Sequence, residues 1–273
     1  MSGETHPFDL ATALAAEGEG AFAGHTHPGY ANQVGPFGGV IAAALLRAVL
    51  AHPARAGDPL ALTVNYAAPV KDGAFRIEAA PARSNRSTQH WRMALAQEGE
   101  TAITATAVLA QRRETWSATE SGPPPAPPWD ALQRAEPVAV AEWTRRYDFR
   151  FVRGGMPPLP KQEKGEGADS VSILWMRDEP PRPLDFLSLA AFCDVFYPRI
   201  FIRRPRFVPI GTVSLTVYFH AGAGELAALG DAPLLGSARA SHFGKGYHDQ
   251  VAEVWSRDGS LLATSHQIVY FKE

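Results

Sequence analysis

A chain of 273 residues has room for one large domain or two of ordinary size, and either can bury a full core. Its 45% hydrophobic and 20% charged residues are the balance of a soluble globular protein, and a formal net charge of -2 gives no field to draw nucleic acid or an acidic membrane surface. Cys193 is the single cysteine, which excludes an internal disulfide.

A small molecule is therefore the expected partner, with no nucleic acid and no membrane. The opening MSGETHPFDL lacks the basic flank and apolar core of a secretory signal. The apolar runs are broken at Arg47 or Asp194, short of the roughly 20 residues a bilayer span needs. The expected location is cytoplasmic.

In chain order, the first strong signal is GPFGGVIAAALLRAVL (35–50), a glycine-led apolar helix. A strand follows at 60–69. Three more β-rich runs follow, AFRIEAAPARSN, QHWRMALAQ and TAITATAVLAQ, the last two joined by a turn at 98–100. SGPPPAPPW (121–129) is too rich in proline for a helix or a ladder and marks a stiff connector. The expected division is an N-terminal unit 1–118, a linker 119–130 and a C-terminal unit 131–273.

The second part supplies strands at YDFRFVRGG (147–155) and SVSILWMRD (170–178), separated by GGMPPLPKQEKGEG (154–167). That stretch reads as a long loop able to act as a flap. Next, LDFLSLAAFCDVFYPRIF (184–201) predicts a second helix and TVSLTVYFHAG (212–222) a strand. LLGSARASH, YHDQVAEVWS and SLLATSHQIVYFK complete the series, with a hairpin signal at the Asp258-Gly259 pair.

The order helix, strand, then a long paired region thus occurs twice. LTVNYAAP (62–69) even matches LTVYFHAG (215–222) by eye, so a whole domain is duplicated. Both helices are apolar nearly all round, the mark of a helix enclosed by other structure. Only the sheet that follows each is available to enclose it. The fold class expected is α+β, a tandem (double) hotdog: two antiparallel sheets, each wrapped around a long central helix.

The pattern FGGVIAAAL, a strand ending in YFHA and a late GSLLATSHQ resembles the acyl-CoA thioesterase II family of double-hotdog proteins, within the wider thioesterase-like superfamily, over most of the chain. The resemblance implies hydrolysis of an acyl-CoA thioester to free acid and coenzyme A. It also implies a catalytic trio of an aspartate on the second helix, a threonine at the start of the next strand and a glutamine on the last strand. In this chain these fall on Asp194, Thr212 and Gln267. Ser214 and Val40 depart from the family pattern, where an acidic residue and a glutamine are common; the trio is unaffected. No metal or cofactor is implied. The fused pair can stand alone or assemble into a homo-oligomer.

The residues can also be weighed without the family. Four positions before Pro198, Asp194 is expected in the last helical turn, where a carboxylate meets the negative end of the helix and burial adds several kcal/mol unless it is paired. Exposure beside Arg199 or Arg203 is the plainer alternative. Strict alternation puts Thr212, Ser214, Thr216 and Tyr218 on one strand face and Val213, Leu215, Val217 and Phe219 on the other, leaving Thr216 as a rival hydroxyl. Gln267, among apolar and small neighbours, needs hydrogen-bond partners. Aligning the turn glycines Gly99 and Gly259 makes Ala107 its counterpart. Gly38 and Gly39 open the first helix, where free amides could bind substrate or receive an oxyanion, or where glycine merely permits tight packing.

Other candidates are weaker. Cys193, without a histidine partner, reads as a core thiol. His25 and His27 lack companion ligands for a metal. Gly244-Lys245-Gly246 is not a phosphate loop. The arginines of RRPR (203–206) could face coenzyme A phosphates or simply water. A hotdog hydratase or dehydratase would need an Asp and a His a few residues apart, and Arg199 stands where that histidine would be. A non-catalytic acyl- or acyl-carrier-binding protein would keep the apolar tunnel without needing Asp194.

Overall fold

The computed structural model of the chain describes residues 5–157 and 165–273. It opens with a short helix α1 (Pro7–Ala11) and a small hairpin of β1 (Ala15–Gly18) and β2 (Ala21–His25). Helix α2 (Gly38–Ala51) leads into β3 (Asp58–Tyr66), β4 (Ala74–Ser84), β5 (Thr88–Gln97) and β6 (Glu100–Ala110). Residues 111–128, which include most of the proline-rich segment, contain no helix or strand.

Strands β7 (Tyr147–Arg153) and β8 (Ser172–Asp178) follow, then α3 (Phe186–Phe192), α4 (Arg199–Arg203), β9 (Ile210–Phe219) and α5 (Ala223–Leu229). The chain closes with β10 (Leu234–Arg239), β11 (Phe243–Gly244), β12 (Tyr247–Trp255) and β13 (Leu261–Phe271). Of the flap expected at 154–167, residues 158–164 lie outside the described residues.

The strands form one 13-stranded sheet in the order β1-β2-β4-β5-β6-β3-β9-β13-β12-β10-β8-β7, with β11 paired to β12. About the β3–β9 junction the order of the second half mirrors that of the first. The expectation of two separate sheets is corrected here. β3 and β9 pair antiparallel from Ala61↔Tyr218 to Asn65↔Ser214, so main-chain hydrogen bonds run through the join. On the outward face of that join the hydroxyls of Thr63 and Thr216 lie 3.0 Å apart.

The strands keep the alternation that half-buried β structure demands. On β5, Trp91, Met93 and Leu95 are buried while His90 and Arg92 are exposed. Nearly every residue of α2 is buried, and Arg47 escapes by reaching Asp9 and Thr12 near the chain start. Against α3 the contact is so close that a Cβ on Gly39 would stand 2.9 Å from the Ala191 carbonyl oxygen.

The second helix is shorter than the 184–201 run expected. Asp185 caps its start, accepting from the Ser188 amide at 2.8 Å. It ends at Phe192, and the Asp194 N–H turns back onto the Ala191 carbonyl at 2.9 Å. Pro198 then starts α4 afresh. A proline offers no N–H and disfavours helical geometry in the residue before it, so the apolar run cannot continue as one helix. Asp194 consequently sits in the turn after α3, not in its last helical turn.

Candidate active site

The turn after α3 aims Asp194 at the start of α2, and β13 brings Gln267 against both. Gln267 Nε2 donates to Asp194 Oδ1 at 2.7 Å and lies 3.4 Å from the Cys193 carbonyl oxygen, which also accepts from Ser265 Oγ at 3.2 Å. Gly38 borders the carboxylate so tightly that a Cβ there would be 2.8 Å from Oδ2. Tyr66 donates its hydroxyl to the Gly38 carbonyl at 2.9 Å.

The awkward charge at the end of one helix is thus offset by the positive end of another. Phe37, the N-cap of α2, has no capping side chain, so amides of the first turn are free to meet an anion. Burial pushes the Asp194 carboxyl up to about 7, while the hydrogen bond from Gln267 and the Gly39 backbone N–H act in the opposite direction. Near neutral pH the group can both take and return a proton. Burial, helped by the nearby Asp194 charge, holds the Tyr66 phenol well above its ordinary range.

Thr212 reaches the same place by an irregularity that strict alternation misses. The β9–β13 register shifts between Ile268 and Val269, so Ser214 faces Ile268 and Thr212 faces Val269. Val213 bulges outward and is 39% exposed. Thr212 therefore shares the inner face with Leu215 and Gln267 instead of opposing them, which corrects the assignment made from alternation. Thr216 stays on the outer face against Thr63.

Asp194, Thr212, Gln267 and Gly38 all line one cavity of about 370 Å³ at the seam of the two halves. Its apolar wall includes Phe37, Ile41, Phe196 and Trp143, with Phe37 and Trp143 stacked at 4.2 Å. Gly39 lies buried behind Gly38. Ala107 pairs with Leu62 as Gln267 pairs with Leu215, so the strand register supports their correspondence.

Sequence reasoning overlooked Gln250. It is register partner to Gln267, lines the same cavity, and accepts from Arg199 Nε at 2.9 Å. The available signal was an amide on the inner face of β12 beside Ala252 and Val254. Arg199, read as a possible exposed partner of Asp194, is wholly buried and bonded elsewhere.

The weaker candidates fall outside this constellation. The Cys193 thiol is buried, which pushes its pKa up, and only its carbonyl serves the site. His25 bonds the Thr26 carbonyl and His27 caps Gly29. Gly244-Lys245-Gly246 forms a turn beside Arg203 at a separate surface hollow, where Arg203 pairs with Glu166 at 2.9 Å and Arg204 with Glu273.

Two family models match the chain. Residues 26–110 match the acyl-CoA thioesterase N-terminal domain, and residues 118–271 match the acyl-CoA thioesterase C-terminal domain. The chain belongs to the acyl-CoA thioesterase family. Within that family's fold, a crystal structure from Alicyclobacillus acidocaldarius, described as a protein of unknown function with a hot dog fold, is 49% identical. It superposes with a TM-score of 0.93 over 99% of both chains.

The acyl-CoA thioesterase II of Mycobacterium marinum is 18% identical, with a TM-score of 0.74 over 97% of this chain and 98% of its own. A tesB protein of Mycobacterium avium is 17% identical, with a TM-score of 0.78 over 98% and 100%. These last two share the fold of this thioesterase-family chain. No curated protein matches it. Among the described residues no helix is long and apolar enough to cross a membrane.

Proposed function

We propose that this chain is a double hotdog, divided as 1–118 and 131–273 about the 119–130 linker, that hydrolyses acyl-CoA thioesters to a free acid and coenzyme A. The observation that carries the reading is the half-buried Asp194 carboxylate, held by Gln267 at 2.7 Å in an apolar-walled cavity that Thr212 also lines.

Catalysis needs a water aimed at the thioester carbonyl. Asp194 accepts one proton of that water. The Thr212 hydroxyl and Gln267 Oε1, the latter left facing away from Asp194 because Nε2 is the donor to it, fix the water's remaining directions. The water oxygen bonds to the carbonyl carbon as its proton passes to Asp194, and the carbonyl π electrons move onto oxygen. The start of α2, at Gly38 and Gly39, is the positive end beside which that oxyanion forms. When the carbonyl re-forms, the C–S bond breaks, and the departing sulfur takes the proton that Asp194 holds.

The acyl chain occupies the cavity along Phe37, Ile41 and Phe196, and the coenzyme portion stays toward solvent. The test is thiol release from a panel of acyl-CoAs of graded chain length. Release with a chain-length preference supports hydrolysis. Binding of acyl-CoA without release would instead support the non-catalytic acyl-binding reading.

A further inference from the structure

Arg199 has no exposed surface and, among the described residues, no carboxylate partner. Its charge is satisfied by neutral acceptors: Nη1 donates to the Ser170 carbonyl at 2.9 Å and to Ser172 Oγ at 2.7 Å, Nη2 to the Tyr197 carbonyl, and Nε to Gln250 Oε1 at 2.9 Å. Burying a guanidinium this way is costly, and a carboxylate is its ordinary match. A glutamine in that place leaves a net positive charge beside the cavity.

The pairing also fixes how Gln250 is turned. Arginine can only donate, so the amide oxygen must face Arg199 and the NH2 must face away. Gln250 is 2% exposed, lines the cavity and lies directly across the β12–β13 ladder from Gln267, where paired side chains stand roughly 5 Å apart. Its Nε2 donates to no acceptor among the described residues. A cation bonded to the amide oxygen polarises the group and strengthens its N–H bonds as donors.

The duplication isolates this feature to one half. Across the β5–β6 ladder the corresponding pair is Trp91 opposite Ala107, both buried and apolar in their facing surface. Two facing amides thus replace an indole and a methyl group in the half that carries Asp194.

We propose that Gln250, held by Arg199, is a catalytic residue that donates from Nε2 to the thioester carbonyl oxygen as it becomes an oxyanion. Gln250 then complements the start of α2, where the Gly39 N–H already acts on the Asp194 carboxylate. Arg199 is the positioning residue. The proposal rests on the hydrolase reading above.

Gln250→Glu tests it, because it keeps the volume and an oxygen for Arg199 while replacing the outward NH2 with an acceptor. Gln250→Met is the neutral companion, which separates loss of the donor from added charge. Both are assayed by thiol release at a pH where Asp194 is ionised, with kcat and KM measured separately. The expected result is a kcat lower by about a hundredfold or more in each, with KM little changed, as for removal of one oxyanion donor. An active wild type alongside Gln250→Glu or Gln250→Met at wild-type kcat overturns the proposal alone. A wild type that releases no thiol overturns it together with the hydrolase reading.

Discussion

Asp194 and Gln267 are joined by a 2.7 Å hydrogen bond that links the turn after α3 to the middle of β13. The bond gives a partly buried carboxylate a donor that favours its charged form and turns the glutamine so that its oxygen is left for another donor. An isolated buried charge would shed its ionisation; this one keeps a pKa where it can act as a base near neutrality.

The pH dependence follows. With Asp194 as base, kcat/KM should rise with pH through about 7, set first by burial. Gln267→Ala removes a bond that lowers that value, so the rising limb should move to higher pH as well as to a lower plateau. Rates from pH 5 to 9 check both, and an unmoved limb would detach Gln267 from the titrating group.

The bulge at Val213 makes opposite predictions for two threonines on one strand. Thr212→Val removes a hydroxyl from the cavity and should lower kcat by about tenfold, the worth of one modest hydrogen bond. Thr216→Val alters only the outer face against Thr63 and should leave kcat unchanged. Loss of rate in Thr216→Val would restore the unbulged register.

The paired glycines should separate function from stability. In Gly38→Ala the new Cβ would stand 2.8 Å from Asp194 Oδ2 and 3.3 Å from Tyr66 Oη, so the carboxylate must shift and turnover should fall while the fold holds. In Gly39→Ala the methyl meets the Phe37 ring at 2.5 Å and the Ala191 carbonyl at 2.9 Å, and backbone cannot yield cheaply. A loss of roughly 1–3 kcal/mol is expected, read from denaturant midpoints.

Much of this was legible in the sequence because local rules produced it. The apolar run behind Gly38-Gly39 became α2, and the Glu98-Gly99 turn adopts positive φ at both residues, 53° and 85°. The aspartate stood out because a charge in LSLAAFCDVF has no local reason to be there. What stayed hidden depends on partners far away in the chain. The joining of β3 to β9 is a pairing between strands about 150 residues apart in the chain, and the bulge that turns Thr212 inward is defined only against β13. Gln250 was masked because the hairpin loop at Arg257-Asp258-Gly259 is longer than the one at Glu98-Gly99, so aligning the turn glycines puts the twin of Trp91 one residue off. The N-terminal hairpin β1–β2 was missed because β1 is exposed at every position and has no apolar alternation.

Buried acids should also leave a mark on stability. Burial raises Asp194 to about 7 and Asp178 to about 8, from 3.8. The fold favours their protonated forms, so that contribution is complete below about pH 4 and is lost as pH rises through 7 and 8. Asp194→Asn should therefore stabilise the protein at pH 8 by on the order of 2–4 kcal/mol while changing little at pH 4. Urea midpoints at the two pH values decide this; equal effects at both would show that the carboxyl is not held in the way described.

The central test is steady-state thiol release from the preferred acyl-CoA by Asp194→Asn beside the wild type, at pH 8 and with both proteins shown to be folded. If Asp194 moves the proton of the attacking water, kcat should fall by about 10²-fold or more. Turnover by Asp194→Asn at the wild-type rate would contradict the assignment and place the chemistry elsewhere.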